Sequence, residues 1–489
     1  MPRIRPSHTL ALGPRGPGQP AARWLVAALR AAILDGRLRT GAQLPATRAL
    51  ATEYALARGT VVRAFEQLGA EGYLQSRTGS GTFVSNVLPD RLLSVAARPA
   101  PRRERTPAPK RHETRYASGV RALGNLHSPA RAFRANQPAL DLFPTALWAS
   151  VAGRRMRRAT IDLLMATPPN GYPPLQRAVA EHLGEARGVS CEPEQVVIVS
   201  GAQEGLDLIT RLFVDPEDRV AIEDPGYAGA SRVFAASGAR VVHVRVDEEG
   251  MMLDRQALRG VRLAYVTPAH QFPTGVSMSL SRRLALLEWA SATGALIIED
   301  DYDSEYRYTG RPLPSMQGLD GRSCVLFVGS FSKVLFPSLR LGYVVVPADL
   351  VDRFAAARSI TARHAPLLDQ AVLADFIAEG HFGRHVRRMR EVYASRWNAL
   401  NEGVARELSG ALTLSPVDAG LQSPAWLTRR GARAREIVAR AAERKVEVVA
   451  LDRYAHGRSV RDGLLLGFAA VDEREIARGV TGLARVLER

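Results

Sequence analysis

Apolar and polar positions change their period along this chain, and the changes divide it. Between Ala21 and Leu34 the apolar residues Trp24, Ala28, Ala31 and Ala32 fall near one face, and Gly36 follows, which predicts an amphipathic helix. Thr47 is placed to cap a helix over Arg48–Tyr54, and after a break at Ala55–Ala57 a second helix runs over Arg58–Gly69. Two short helices joined by a tight turn form a helix-turn-helix. Beyond Gly72, Tyr73–Gln75 and Thr82–Ser85 alternate as short strands around Arg77, Thr78, Gly79, Ser80 and Gly81, the pattern of a hairpin wing.

The periodicity then stops. Residues 91–115 carry four prolines and eight basic residues and predict a linker, set at 88–118, between an N-terminal domain over 20–87 and a large domain over 119–489. In the large domain near-continuous apolar runs alternate with helical stretches at 203–213, 228–237 and 281–292. The runs 196–200, 219–223, 241–246, 263–267, 295–300, 324–330 and 342–347 predict buried strands. That alternation predicts an α/β domain with a mostly parallel central sheet. The long helices and few strands of 371–489 predict a smaller C-terminal subdomain.

Composition narrows the class. The chain has 489 residues, 46% hydrophobic and 24% charged, which excludes global disorder. Its two cysteines, Cys191 and Cys324, exclude a disulfide scaffold and fit a reducing compartment. No apolar run approaches the roughly 18 residues that span a bilayer, and Met1–Pro20 lacks the apolar core of a signal peptide. A cytoplasmic protein is expected.

The net charge of +17 is uneven. Residues 1–115 hold 19 basic and 7 acidic residues, and the rest hold 47 and 42. A positive excess at one end suggests a nucleic-acid partner. A recognition helix reads the major groove from its N-terminal turn, where Arg58, Gly59, Thr60 and Arg63 stand. Arginine suits guanine edges and phosphates, and threonine suits phosphates or a thymine methyl. Gly79 and Gly81 let the wing approach the DNA backbone. The segments LPATRALA, ARGTVVRAFEQLGAEGYL and SRTGSGTFV resemble the winged helix of the GntR family of bacterial regulators. The resemblance implies DNA contacts from Arg48, Arg58, Thr60 and the wing around Gly79, with Arg77 beside it.

Lysine occurs three times, at 110, 333 and 445, against 63 arginines. Lys110 sits in the linker and Lys445 in a helical run, so both are expected to face water. Lys333 follows a buried strand within a Ser-Phe-Ser-Lys loop. Burial lowers an amine's pKa and makes it nucleophilic, as a Schiff base requires. Ser330 and Ser332 can donate to a phosphate, and Arg340 can bind one bidentately. The strand 295–300 delivers Asp300, Asp301 and Tyr302 at its carboxyl end, where ligands of open α/β sheets sit. No histidine falls within that motif, and no metal is expected. The Gly201-Ala202-Gln203 turn opens a helix whose free N–H groups suit a phosphate. Tyr227, after another strand, can stack on a flat cofactor.

Together these pieces resemble fold-type-I pyridoxal-phosphate enzymes. YVTPAHQFPTGVSMSLSRRLALLEWA, IIEDDYDSEYRY, GSFSKVLFPSLRLGYVVVP and DFIAEGHFGRHVRRMREVY are similar to the MocR/GabR family, which fuses a GntR-type winged helix to an aminotransferase-like domain. The resemblance implies that Lys333 forms the internal aldimine with pyridoxal 5'-phosphate. Asp300 would pair with the pyridinium nitrogen, Tyr302 with the phenolic oxygen, and Tyr227 would stack on the ring. Gly201, Ala202, Gln203, Ser330, Ser332 and Arg340 would hold the phosphate. It also implies a head-to-tail homodimer on promoter DNA, responding to the cofactor or to an amino compound.

Two departures from working aminotransferases stand out. The Asn-Pro-Thr-Gly segment reads Phe272-Pro273-Thr274-Gly275, so His270 or Gln271 replaces the missing Asn, or Tyr302 acts alone. The Arg that clamps an α-carboxylate is replaced by Leu465, with Arg461 and Arg458 as the alternatives. A sensor is expected before an enzyme; an active aminotransferase with an appended DNA-binding domain is the rival. The basic stretch at 381–393 is expected to be a solvated helix face, with extra DNA contact as the alternative.

Overall fold

The computed structural model describes residues 10–77, 79–88, 112–114, 116–117, 130–165, 167–310, 314–428, 433–456 and 461–488. The chain divides into two compact units, Met1–Arg111 and His112–Arg489. Most of the linker expected over 88–118, including Lys110, lies outside the described residues, as do Thr78 and Arg458.

In the first unit, α1 (Ala21–Leu34), α2 (Thr47–Glu53) and α3 (Arg58–Ala70) precede the hairpin of β1 (Leu74–Arg77) and β2 (Gly81–Val84). Leu25, Leu29, Leu50, Val61 and Leu68 are wholly buried and form its centre. Three expectations need correction. Ala31 is exposed, because Leu25, Leu29 and Ile33 carry the inner face of α1. Thr47 is the first residue of α2 and not its cap; Ala46 holds that place and no side chain caps the helix. The expected strand start, Tyr73, instead packs into the core, and pairing runs from Leu74↔Val84 to Arg77↔Gly81. Gly79 (φ 74°) and Gly81 (φ 109°) make the turn in a region that a Cβ penalises.

The second unit is built on an eight-stranded sheet in the order β3-β10-β9-β8-β7-β4-β5-β6. Its strands are β3 (Val196–Val199), β4 (Arg219–Asp224), β5 (Arg240–Asp247), β6 (Gly250–Met251), β7 (Val261–Val266), β8 (Leu296–Asp301), β9 (Val325–Ser330) and β10 (Gly342–Val345). The run β9, β8, β7, β4, β5 is parallel, while β10 and β6 run against their neighbours. Both faces of the sheet are covered, which is why these strands read as continuous apolar runs. Val196 and Ile198 enter one core, and Val197 and Val199 the other.

A four-stranded antiparallel sheet, β11-β12-β14-β13, forms the C-terminal subdomain from β11 (Leu412–Leu414), β12 (Gln422–Leu427), β13 (Val449–Ala450) and β14 (Gly463–Gly467). The helix His381–Glu407 packs on the terminal helix Glu473–Leu487 beside it. The basic start of the former is not uniformly solvated. Arg384, Arg387, Arg388 and Arg390 face water, but His385 is buried against the Val334 carbonyl at 3.2 Å. Among the described residues no helix is long and apolar enough to cross a membrane.

Candidate cofactor site and DNA-binding surface

The carboxyl ends of β3, β8 and β9 lie on one edge of the sheet, and the expected residues gather there. β9 continues through Gly329 to Ser330, because Ser330 pairs with Gly342 of β10. Lys333 therefore sits in a one-turn helix, Phe331–Val334, and not in an open loop. Its amine donates to the carbonyl of Asn136 at 2.6 Å. Burial pushes the Lys333 pKa down to about 8, while the Asp303 and Asp300 carboxylates push it back up. Lys445 is exposed, without this environment.

Asp300 and Asp301, adjacent in sequence, do different work. Asp301 forms a buried ion pair with Arg187 at 2.6 Å. Asp300 accepts from the Tyr265 hydroxyl through Oδ2 at 2.6 Å, and its buried Oδ1 has no hydrogen-bond partner. Burial pushes this carboxyl up to about 7, against the hydrogen bond from Tyr265. An unfilled, buried acceptor calls for a donor, and a protonated ring nitrogen supplies one.

Tyr302 brings its hydroxyl within 3.1 Å of Nδ1 of His270, which lies 3.1 Å from both oxygens of Asp303. Gln271 is spent elsewhere. Its Nε2 donates to the carbonyls of Pro225 and Phe272 at 2.9 and 2.7 Å, and its Oε1 accepts from Thr274 at 2.6 Å. Of the two expected substitutes for the missing Asn, only His270 stands beside Tyr302.

Gly201 caps the helix Ala202–Phe213 at φ 97°, and a Cβ there would lie 3.3 Å from the Arg340 guanidinium. The absent side chain leaves room between that guanidinium and the helix N-terminus, where Ala202 and Gln203 begin the first turn. On the neighbouring turn the buried hydroxyl of Ser332 is unpartnered, and Ser330 accepts from the Ser332 amide at 3.2 Å. Arginine, two hydroxyls and a helix N-terminus suit a phosphate. Tyr227 donates to Gln203 at 3.2 Å and meets Phe272 edge to face at 6.1 Å.

Sequence reasoning missed three contributors. Tyr265 looked like one more residue of a buried strand. Asn136 acts through its carbonyl, which no side-chain pattern reveals; its positive φ of 62° is a conformation asparagine tolerates. Glu223 is buried beside Asp300, with its pKa raised to about 7 by burial, and accepts from Thr267 at 2.7 Å.

In the first unit Arg48, Arg58, Gly59 and Arg63 are exposed and Thr60 partly so, with Arg58, Gly59 and Thr60 opening α3. Arg77 stands over the Phe83 ring at 5.0 Å, and Gly79 is exposed at the wing tip.

A winged helix in one unit and a fold-type-I aminotransferase architecture in the other define a two-module class of protein. Residues 22–84 match the bacterial regulatory proteins of the gntR family, and residues 133–478 match aminotransferase class I and II. The chain is 40% identical to the probable rhizopine catabolism regulatory protein MocR of Rhizobium meliloti, over 95% of this chain and 93% of that protein. It is 32% identical to the pyridoxine biosynthesis transcriptional regulator PdxR of Corynebacterium glutamicum, over 95% of each. The large domain is similar to the α-aminoadipate aminotransferase LysN of Thermus thermophilus, solved with N-(5'-phosphopyridoxyl)-L-leucine: TM-score 0.67 and 31% identity over 73% of this chain and 92% of that one. The chain belongs to the MocR family of DNA-binding transcriptional regulators with a pyridoxal-phosphate aminotransferase-like domain.

Proposed function

We propose that the protein controls transcription in the bacterial cytoplasm by holding pyridoxal phosphate at Lys333 and responding to a small molecule, the cofactor itself or an amino compound. The head over 20–87 would bind double-stranded promoter DNA, and a basic linker over 88–118 would join it to a sensing and dimerisation domain over 119–489. The observation that carries the reading is that one sheet edge holds both a buried Lys333 amine with a lowered pKa and an Asp300 oxygen without a hydrogen-bond partner.

When bound, the cofactor supplies an aldehyde for an amine and a ring that accepts electron density. Lys333 would hold it covalently, Asp300 would hold a proton on the ring nitrogen, and Tyr302 with His270 would face the phenolic oxygen. Tyr227 would stack on the ring. Gly201, Ala202, Gln203, Ser330, Ser332 and Arg340 would hold the phosphate. Arg48, Arg58, Gly59, Thr60, Arg63, Arg77 and Gly79 would contact DNA. The exposed apolar side chains of Met156, Ile161, Leu164 and Met165 support a homodimer, assigned here as head-to-tail.

Adding pyridoxal phosphate should give an absorbance band near the visible edge that is missing in Lys333→Ala; the same band in both proteins would sink the reading. A working aminotransferase is the second reading, favoured by intact Lys333, Asp300 and Tyr302. Rapid pyridoxamine phosphate formation with a panel of amino acids would establish it.

A further inference from the structure

One wall beside Lys333 is apolar. Lys333 holds the Asn136 carbonyl, and the preceding residue, Ala135, packs on a buried cluster of Phe272, Leu451 and Leu465. Tyr227, Tyr302 and Tyr454 pack on the same cluster, so the two tyrosines assigned to the cofactor share a wall with Leu465. Leu465 is wholly buried at the centre of β14, opposite Pro424 and Val449.

Among the described residues, the arginines beside this wall are committed or outside; Arg458 lies outside the described residues. Arg134 is buried and pairs with Glu447 at 3.6 Å. Arg461 is exposed and lies over the outer ring of the wall, Trp426, at 5.5 Å. Besides the Asp300 and Asp303 carboxylates, which would repel a second carboxylate, the polar groups close to Lys333 include the Asn136 and Gln422 amides, 3.4 Å apart, with the Gln422 carbonyl oxygen also accepting from the Asn136 N–H at 2.9 Å. Amides of this kind satisfy an uncharged hydroxyl or carbonyl. A carboxylate placed against Leu465 and Phe272 would lose its water without gaining a cation from the described residues.

We infer that the effector is a primary amine that carries no carboxylate. The inference rests on the reading that Lys333 carries the cofactor. The amine would take the place of Lys333 on the aldehyde carbon. One C=N bond forms as the other breaks, and the two hydrogens that leave the effector nitrogen restore the Lys333 amine, with no electrons exchanged. Excluding carboxylates separates an amine signal from the free amino acids that every cell holds.

The test uses matched pairs on the cofactor-loaded full chain: L-alaninol against L-alanine, and L-phenylalaninol against L-phenylalanine. The readout is the concentration that half-shifts the visible band. In at least one pair the amino alcohol should act at a concentration about tenfold or more below its amino acid. Equal or tighter action by the amino acids, or no shift with either amino alcohol, would overturn the inference while leaving the cofactor reading intact. A chain that forms no band at all would overturn both. Arg461→Ala should leave each ratio unchanged; if it weakens the amino acids selectively, Arg461 is a clamp and the inference fails. Leu465→Arg, where it folds, should move preference towards the amino acid, and a folded variant with the original preference would count against Leu465 as the discriminating side chain.

Discussion

Tyr265, buried in β7, donates a 2.6 Å hydrogen bond to Oδ2 of Asp300 on the adjacent strand β8. The bond occupies one oxygen of the carboxylate and leaves the other, Oδ1, without a partner. It also opposes the effect of burial, which has raised the acid to about 7. Tyr265→Phe removes a donor and leaves Oδ2 unpaired, so the acid should stay protonated to higher pH. Losing a buried hydrogen bond of this kind costs about 1–2 kcal/mol. Cofactor affinity, followed by absorbance titration, should fall about 5- to 30-fold, and the pH at which the band changes should rise. Unchanged affinity and pH profile would remove Tyr265 from the site.

The cofactor-free protein should lose stability as neutrality is approached from the acid side. Asp300 and Glu223 titrate near 7 in the folded chain, against ordinary values of 3.8 and 4.5. Between those limits the folded chain binds more protons than the unfolded chain, so this contribution falls as pH rises. Lys333 acts in the opposite sense at higher pH. With its pKa at about 8 instead of 10.5, the unfolded chain binds the extra proton in that window, and stability is regained as pH rises through it. Asp300→Asn should flatten the acid-side slope in denaturant unfolding of the cofactor-free chain. An identical slope in both proteins would show that Asp300 is not the titrating group.

Arg58 is exposed at the first residue of α3 and has the DNA-reading role in the proposal above. Arg58→Ala should weaken binding to an operator selected from a random pool by about 1–3 kcal/mol and leave the unfolding midpoint unchanged. Fluorescence anisotropy at fixed salt and a thermal melt check the two halves. Binding at full strength would place the recognition surface elsewhere.

The architecture was legible because its strands are buried on both faces, and that burial writes continuous apolar runs such as 196–200 and 324–330. Lys333 was legible by rarity, standing in a chain that uses arginine almost everywhere else. Side-chain chemistry at strand ends, as in Asp300 and Tyr302, could likewise be read along the chain. What stayed hidden depends on neighbours distant in sequence. The Lys333 amine meets the Asn136 carbonyl across 197 positions, and Tyr265 reaches Asp300 only because β7 and β8 pair in one register. The sequence also offered Gln271 and His270 as equals, and only the hydrogen bonds that consume Gln271 separate them. Thr47 has the chemistry of a cap, but α2 begins one residue earlier than that reading requires.

Asp300 and Asp301 show how one residue step divides the acid proposed to face the cofactor from a structural ion pair. Successive side chains of a strand point to opposite faces. Asp301 is thereby turned from the Tyr265 side towards Arg187, with both partners under a tenth exposed. Breaking a buried pair by removing one member leaves an uncompensated charge and costs about 3–5 kcal/mol. Asp301→Leu or Arg187→Met alone should therefore lower the unfolding midpoint sharply. Replacing both partners, as in Arg187→Met with Asp301→Leu, should cost less than the sum of the single changes, because no charge is left stranded. Denaturant unfolding of the three variants forms the cycle that measures the coupling. Additive costs would mean that water reaches the pair and that Asp301 is free for a role beside Asp300.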